Sequence, residues 1–313
     1  MKKYVILLAT ACVLLTTSCS SDSAVPLPTE KPNPGPGPGP GPGPNPEPEP
    51  EPEPEPNDDY VIPSDQKEYY KSIDFKKSGI ELKKQLTKLI TNTHTQVLGY
   101  NNNLWEALKI TDVTPDGKNV YLLYGHPNQT QGTQTYTREK NNHGGGIGQW
   151  NREHTYARSK GTPNLEKSPA PNSDMHHIRP ADVTWNEERG NEKFAASKGS
   201  TLSGPVAGGW YPGDEWKGDV ARMMMYMYVR YESQCLPTNI AVGTTNNIDP
   251  QMINLLLDWN AEDPVSEIEK KRNDYHGNTK NEYAQGNRNP FIDNPQLANK
   301  IWGGKAAANH WKK

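Results

Sequence analysis

The sequence is poor in apolar residues and in cysteine, and it lacks several motifs of familiar enzyme classes. Only 32% of the 313 residues are hydrophobic and the mean hydropathy is −0.92. A polytopic membrane protein is therefore excluded, because each span needs about 20 mostly apolar residues. No His-Glu-x-x-His motif, no Gly-x-Ser-x-Gly elbow and no closely spaced cysteine pair is present. These absences argue against a zincin, an elbow-type serine hydrolase and a cysteine-based zinc or redox site.

The first 18 residues have the pattern of an export signal. Two lysines precede an apolar run over residues 4–15, which has about the length of a signal-peptide core and is short for a membrane span. Small residues and Cys19 follow, an order that resembles a bacterial lipoprotein signal. We therefore expect residues 1–18 to be removed and Cys19 to be lipidated, with an ordinary cleaved signal as the alternative. Cys235 is then the one thiol left, and its place after an apolar helical stretch predicts that it is buried.

Proline is abundant but concentrated in one segment. Of 29 prolines, 13 occupy every even position from 32 to 56, alternating first with glycine and then with glutamate. Alternating proline favours the extended polyproline II conformation, so residues 19–59 are predicted to be a disordered stalk that holds residues 60–313 away from a membrane. Residues 1–59 contain three lysines and nine acidic side chains, which leaves residues 60–313 with a formal charge of +3. This mildly basic balance permits a polyanionic ligand without requiring one.

Residues 60–313 carry the periodic patterns of a folded domain. Leucines recur at helical spacing over residues 79–94, and Asp219 is predicted to cap a helix whose methionines face the core. A β-type run covers residues 119–124, and the polar segment 127–149 predicts a long loop. Further helices are predicted near 253–257, over 265–275 and over 295–302. Helices dominate and strands are few, so the predicted class is α+β.

The side chains best suited to chemistry are concentrated between residues 143 and 191. Four of the eight histidines lie in this segment, together with Glu, Asp, Asn and Arg in the runs 149–159 and 174–191. Phosphodiester hydrolysis requires such groups. A base takes a proton from water, oxygen ligands hold a hard cation that neutralises the phosphate, and a guanidinium holds the remaining phosphate oxygens. The segment therefore predicts a site for phosphodiester chemistry.

Six motifs resemble the bacterial endonuclease I family and occur in the family's order. They are Asn-Arg-Glu-His at 151–154, Asp-Met-His-His-Ile-Arg-Pro at 174–180, Asn-x-x-Arg-Gly-Asn at 186–191, and the segments 217–222, 259–265 and 285–293. The resemblance covers residues 68–303. It implies a secreted or periplasmic nuclease in which a histidine on a strand faces a metal-bearing helix. The expected fold is thus a mostly helical α+β single domain around a ββα-metal (His-Me finger) core.

The resemblance also implies roles for individual residues. His154 is expected to be the general base that activates water. Glu153 and Asn186 are expected to bind one Mg²⁺ directly or through water, with Mn²⁺ or Ca²⁺ as substitutes, and the products are expected to carry 5′-phosphate ends. The candidates for substrate contacts are Arg158, His177, Arg179 and Arg288. For His177 and Arg179, a purely structural role is an open alternative.

The spacing of these residues makes two structural predictions. Neighbours in a regular strand point to opposite faces, so Glu153 and His154 can share a site only where the strand ends or bends. The strand is therefore predicted to stop at about His154. Asn186 is predicted to lie on a helix that opens near Asp182, because aspartate is a good N-cap.

Two functions are compatible with these features. The first is a lipid-anchored, metal-dependent endonuclease that acts as a monomer on DNA, with RNA as a further candidate substrate, and without strong sequence preference. It would be exported and anchored in the cell envelope, at the outer membrane or the cell surface, through Cys19. The second is a surface lipoprotein that binds glycan or nucleic acid without catalysis, which 8 tryptophans and 15 tyrosines would allow. The second leaves Glu153, His154 and Asn186 unexplained.

Overall fold

The computed structural model describes residues 60–312, so the predicted signal peptide, Cys19 and the stalk over residues 19–59 lie outside the described residues. Within that range, none of the helices is both long enough and apolar enough to cross a membrane. The α-helices of the described residues are α1 (Ser64–Tyr70), α2 (Gly79–Thr93), α3 (Asn103–Thr111), α4 (Pro169–Asn172), α5 (Val183–Arg189), α6 (Lys217–Tyr231), α7 (Pro237–Ile240), α8 (Asn254–Glu262), α9 (Glu267–Gly277), α10 (Pro290–Asp293) and α11 (Gln296–Trp302).

Short strands accompany the helices and form two-stranded antiparallel sheets. The strands of the described residues are β1 (Asn119–Tyr121), β2 (Thr137–Glu139), β3 (Trp150–His154), β4 (Ile178–Asp182), β5 (Gly204–Val206) and β6 (Gly209–Tyr211). The pairs are β1 with β2, β3 with β4, and β5 with β6. The predicted class, α+β and mostly helical, is confirmed.

Helix α6 lies at the centre of the main hydrophobic core. It contacts α2, α8 and α10 and is buried along almost its whole length. Its methionines are all buried, which confirms the prediction that they belong to the core. The predicted cap was wrong, because the helix begins at Lys217. Asp219 lies within the first turn, where it is buried and accepts a hydrogen bond from Arg179 Nη1 at 3.0 Å.

Strands β2, β5 and β6 were not predicted. The long loop expected over residues 127–149 contains β2, which pairs with β1. Each of these strands has only three residues, and β5 and β6 contain glycine or proline, so an alternating apolar pattern cannot develop. The run over residues 119–124 is confirmed only in part. Strand β1 ends at Tyr121, and Leu123 instead donates its backbone N–H to the carbonyl of Pro180 in β4.

Strands β3 and β4 followed by helix α5 form a ββα unit. The two strands pair antiparallel from Trp150 opposite Asp182 to His154 opposite Ile178. Asp182 ends β4 and also caps α5, because its carboxylate accepts a hydrogen bond from the backbone N–H of Trp185 at 3.0 Å. Both local predictions are therefore confirmed: β3 stops at His154, and α5 opens after Asp182.

Buried ion pairs hold the strand β4 against three helices. Arg179 Nε donates to Asp112 Oδ1 at 2.7 Å, and the same guanidinium reaches Asp219 on α6. Arg272 on α9 also pairs with Asp112, which follows α3. A charge buried in this way is tolerated only where opposite charges and hydrogen bonds satisfy it. The network therefore fixes the position of β4, and through it the position of α5.

His176 and His177 lie in the buried turn that leads into β4. The ring Nε2 of His176 contacts the carbonyl of Asn287 at 3.1 Å, and that of His177 contacts the carbonyl of Pro171 at 2.8 Å. Burial disfavours the charged imidazolium and lowers the pKa of both residues to about 4. Both rings are therefore neutral at neutral pH and serve as hydrogen-bond donors to the backbone.

These two histidines predict a loss of stability in mild acid. Their pKa values are lower in the folded chain than in the unfolded chain, so below about pH 6.5 the unfolded chain binds protons that the folded chain does not. The free energy of unfolding should therefore fall as the pH drops from about 6.5 to about 4, with up to about 3 kcal/mol from each histidine. Urea unfolding across this range measures the effect. His177→Gln should flatten the dependence of the free energy of unfolding on pH, whereas the substitution His310→Gln at an exposed position should not. The same pH dependence in the wild-type chain and in both variants would contradict the prediction.

Cys235 lies in a short turn that follows α6. Its side chain is completely buried, and burial raises the pKa of its thiol far above the usual value. The prediction of a buried thiol is confirmed.

Candidate active site

A cleft of about 620 Å³ lies where the end of β3 faces α5. Asn151, Glu153 and His154 line it from β3, and Asn186 and Arg189 line it from α5. The structure thus brings together the three residues that the sequence predicted as base and metal ligands. They meet because β3 pairs with β4 and β4 runs directly into α5.

Glu153 is a buried carboxylate that contacts the side chains of Tyr124 and Arg189. Its Oε1 accepts a hydrogen bond from Tyr124 Oη at 2.8 Å and lies 3.2 Å from Arg189 Nη1. Burial raises the pKa of Glu153, while the positive charge of Arg189 and the hydrogen bond from Tyr124 oppose this rise. Both contacts are made by Oε1, so Oε2 takes part in neither. The carboxylate is therefore held in one orientation.

His154 has the features of a neutral base. Its Nε2 lies 2.9 Å from the carbonyl oxygen of Asn172, and a carbonyl can only accept, so Nε2 carries the proton and Nδ1 carries the lone pair. Burial lowers the pKa of His154 well below its ordinary value, and the neighbouring His177 adds to this. Tyr100 stacks on the ring with a centroid distance of 5.7 Å, and His177 contacts it edge to face at 5.5 Å. The ring is thus fixed on both sides.

Asn186 presents an oxygen to the same cleft. Its Nδ2 donates to Asn151 Oδ1 at 2.7 Å, which assigns the amide nitrogen and leaves the amide oxygen as the remaining acceptor. Among residues 60–312, no group of three or more His, Cys, Asp or Glu side chains could hold a metal ion. Zinc sites need three or four such ligands, whereas Mg²⁺ keeps several waters and needs only one or two protein ligands. One carboxylate and one amide oxygen therefore fit a hard, hydrated cation.

Three contributors to the site were not predicted. Arg189 is buried and also donates to the backbone carbonyls of His154 and Thr155. It follows Asn186 by three residues on α5, and this helical spacing is the signal that could have found it. Tyr124 and Asn172 come from other segments and carry no comparable local signal. Tyr124 has a backbone φ of 72°, a conformation that is uncommon for a residue other than glycine.

Of the four residues predicted to contact substrate, Arg158 lines the cleft and the other three do not. Arg158 lines it and pairs with Glu166 at 2.5 Å, while His177 lies behind His154. Arg179 is buried between Asp112 and Asp219, and Arg288 pairs with Asp274 and Asp293 near the C-terminus. Neither of these last two guanidiniums lines the cleft, and both are buried, so neither is accessible to a phosphate. We therefore do not retain Arg179 and Arg288 as substrate contacts.

The ββα unit places a neutral histidine, a carboxylate and an amide oxygen in one cleft, a set of groups that suits phosphodiester hydrolysis. Comparison with known families agrees, because the model of the family Endonuclease I matches residues 78–296. The chain belongs to the endonuclease I family, and the resemblance recognised from its motifs is confirmed.

Two curated relatives are similar over most of their length. The chain is 42% identical over 254 residues to an extracellular ribonuclease of Bacillus amyloliquefaciens. This alignment covers 77% of this chain and 81% of that protein. It is 40% identical over 250 residues to an extracellular ribonuclease of Bacillus subtilis (strain 168). This alignment covers 76% of this chain and 80% of that protein. The protein is accordingly a nuclease, and nucleic acid is its substrate.

Proposed function

We propose that this chain is an exported, metal-dependent endonuclease that hydrolyses phosphodiester bonds of DNA and RNA without strong sequence preference. The observation that carries the proposal is the cleft in which His154, Glu153 and Asn186 meet, with the lone pair of His154 assigned to Nδ1 by the hydrogen bond at Nε2. A surface module that only binds glycan or nucleic acid is not retained, because the family assignment supports an enzyme.

The proposed reaction uses water as the nucleophile. His154 Nδ1 takes a proton from a water molecule, the water oxygen bonds to phosphorus, and the bond from phosphorus to the 3′ oxygen breaks. The 3′ oxygen leaves and takes a proton from solvent, so the phosphate remains on the 5′ end of the other product. Glu153 and Asn186 would hold a Mg²⁺, which supplies charge neutralisation at the phosphate. Arg189 and Tyr124 orient the carboxylate of Glu153 for that role.

The proposed substrate range follows from the same chemistry. Because water attacks the phosphorus, the 2′-hydroxyl of RNA is not needed, and DNA and RNA are both competent substrates. The two relatives named as extracellular ribonucleases support the inclusion of RNA. Contacts with phosphates carry no base information, so weak sequence preference is expected. RNA must therefore be assayed beside DNA.

Export is supported by two independent features. Both relatives are named as extracellular, and residues 1–18 have the pattern of a signal peptide. Anchoring through a lipidated Cys19 and the proline-rich stalk stays a prediction, as does the monomeric state. Mass spectrometry of the membrane fraction tests the anchor, and an unmodified Cys19 in a released protein would contradict it.

Removal of the metal tests the core of the proposal. EDTA should reduce hydrolysis of supercoiled plasmid and of RNA to background, and Mg²⁺ in excess should restore it. Glu153→Gln should lower the rate at least about 100-fold, because it removes the one negative charge among the proposed ligands of the cation. It should also weaken the Mg²⁺ affinity measured by titration calorimetry. Glu188→Gln, on the exposed side of α5, is the matched control. Hydrolysis that persists in EDTA would overturn the metal requirement.

A further inference from the structure

One wall of the cleft is a column of stacked planar groups. The rings of His143 and Trp105 stack with centroids 4.4 Å apart. The guanidinium carbon of Arg152 lies 4.2 Å from the Trp105 ring centre and 4.0 Å from that of Tyr100. Tyr100 in turn stacks on His154. Arg152 is thus held against two aromatic rings, and Tyr100 connects it to the proposed base.

Arg152 differs from the other arginines of the cleft in its charge partners. Arg189 pairs with Glu153 at 3.2 Å, and Arg158 pairs with Glu166 at 2.5 Å. No carboxylate among residues 60–312 forms an ion pair with Arg152, which donates from Nη1 to the backbone carbonyl of Tyr100. A half-buried guanidinium is stable when its charge is matched. The unmatched charge therefore calls for an anion that the ligand supplies.

We propose that Arg152 binds a phosphate of the nucleic-acid strand next to the scissile phosphate and so positions the strand across His154. This inference rests on the proposed function, because it takes the cleft to be the substrate site. The rings of Tyr100 and Trp105 lie against the guanidinium, so the N–H groups that do not donate to the Tyr100 carbonyl remain at its edge for a ligand. These N–H groups match two phosphate oxygens at once.

The strand geometry places that phosphate on the correct side. Residues 152 and 154 are two apart in β3, so their side chains leave the strand on the same face. Stacking of Tyr100 on both side chains confirms this placement. The aromatic contacts hold the guanidinium plane in place before the substrate arrives, so less conformational entropy is lost when the strand binds.

Binding measurements on a chain that cannot hydrolyse its ligand test the proposal. In the full chain carrying His154→Ala, Arg152→Gln should raise the Kd for a labelled single-stranded oligonucleotide about 10-fold or more. The slope of log Kd against log salt should fall by about 0.7, the value for one phosphate contact on a single strand. Arg152→Lys should keep the slope but weaken the affinity several-fold, because an ammonium cannot bind two oxygens in one plane. Lys88→Gln, an exposed change of the same charge on α2, should alter neither quantity.

An unchanged salt slope for Arg152→Gln would overturn the proposal. Should the substitution disturb folding, the unaltered chain provides a second test. An arginine-directed reagent such as phenylglyoxal, read by mass spectrometry, should modify Arg152 in the free chain and spare it under saturating oligonucleotide. Modification that continues unchanged would also overturn the proposal. Failure of the proposed function would give a different result from failure of this proposal. Oligonucleotide would still bind at Arg152, but the wild-type chain would show no metal-dependent hydrolysis.

Discussion

Replacing His154 by alanine is expected to lower the rate of phosphodiester hydrolysis by about 10²- to 10⁴-fold, the contribution of a positioned general base. The substitution removes the nitrogen that accepts the proton, while Glu153 and Asn186 stay in the cleft. The affinity for an oligonucleotide should therefore change little. Single-turnover rates with plasmid and with RNA, each in excess Mg²⁺, measure the effect.

The control for this variant is another histidine of the same chain. His310 is exposed and does not line the cleft, so His310→Ala should retain the wild-type rate. Circular dichroism of both variants shows whether the fold is kept. A folded His154→Ala protein with the wild-type rate would eliminate His154 as the base.

Replacing Asp112 by alanine is expected to destabilise the fold by about 3–5 kcal/mol, the cost of breaking a buried ion pair from one side. Asp112 is fully buried and pairs with both Arg179 and Arg272. Arg179 would still form its ion pair with Asp219, but Arg272 would lose the carboxylate with which it pairs. Urea unfolding at neutral pH measures the free energy of unfolding.

A surface ion pair provides the contrast. Glu81 lies 3.2 Å from Lys77 with both side chains largely exposed, and such pairs contribute at most about 1 kcal/mol. Glu81→Ala should therefore cost far less than Asp112→Ala. Equal losses for the two variants would contradict the structural role given to the network behind β4.

The local features of the site were predictable from the sequence. The end of β3 follows from the need for Glu153 and His154 to share a site, and the start of α5 follows from Asp182 as a cap. Each of these predictions depends on residues that are close along the chain. The methionines of α6 were predictable for the same reason, because their helical spacing directs them to the core.

The features that depend on distant residues were not predictable. Tyr124 is 29 residues from Glu153, and Asn172 is 18 residues from His154, so no local pattern connects them. Arg179 looked like a substrate contact because it sits in the polar cluster, but its partners come from α6 and from the end of α3. A guanidinium suits a phosphate and a buried carboxylate equally well, and only the tertiary structure distinguishes the two.

Many exported proteins are stabilised by disulfides, whereas the cysteine of the described domain, Cys235, is a buried free thiol. Residues 60–312 contain no disulfide, and their one cysteine is inaccessible and has a strongly raised pKa. Oxidants and thiol reagents act on accessible thiolates, so neither should modify Cys235. Its folding needs no disulfide-forming machinery. The same fold is therefore expected to form in a reducing cytoplasm and to persist in oxidising surroundings outside the cell.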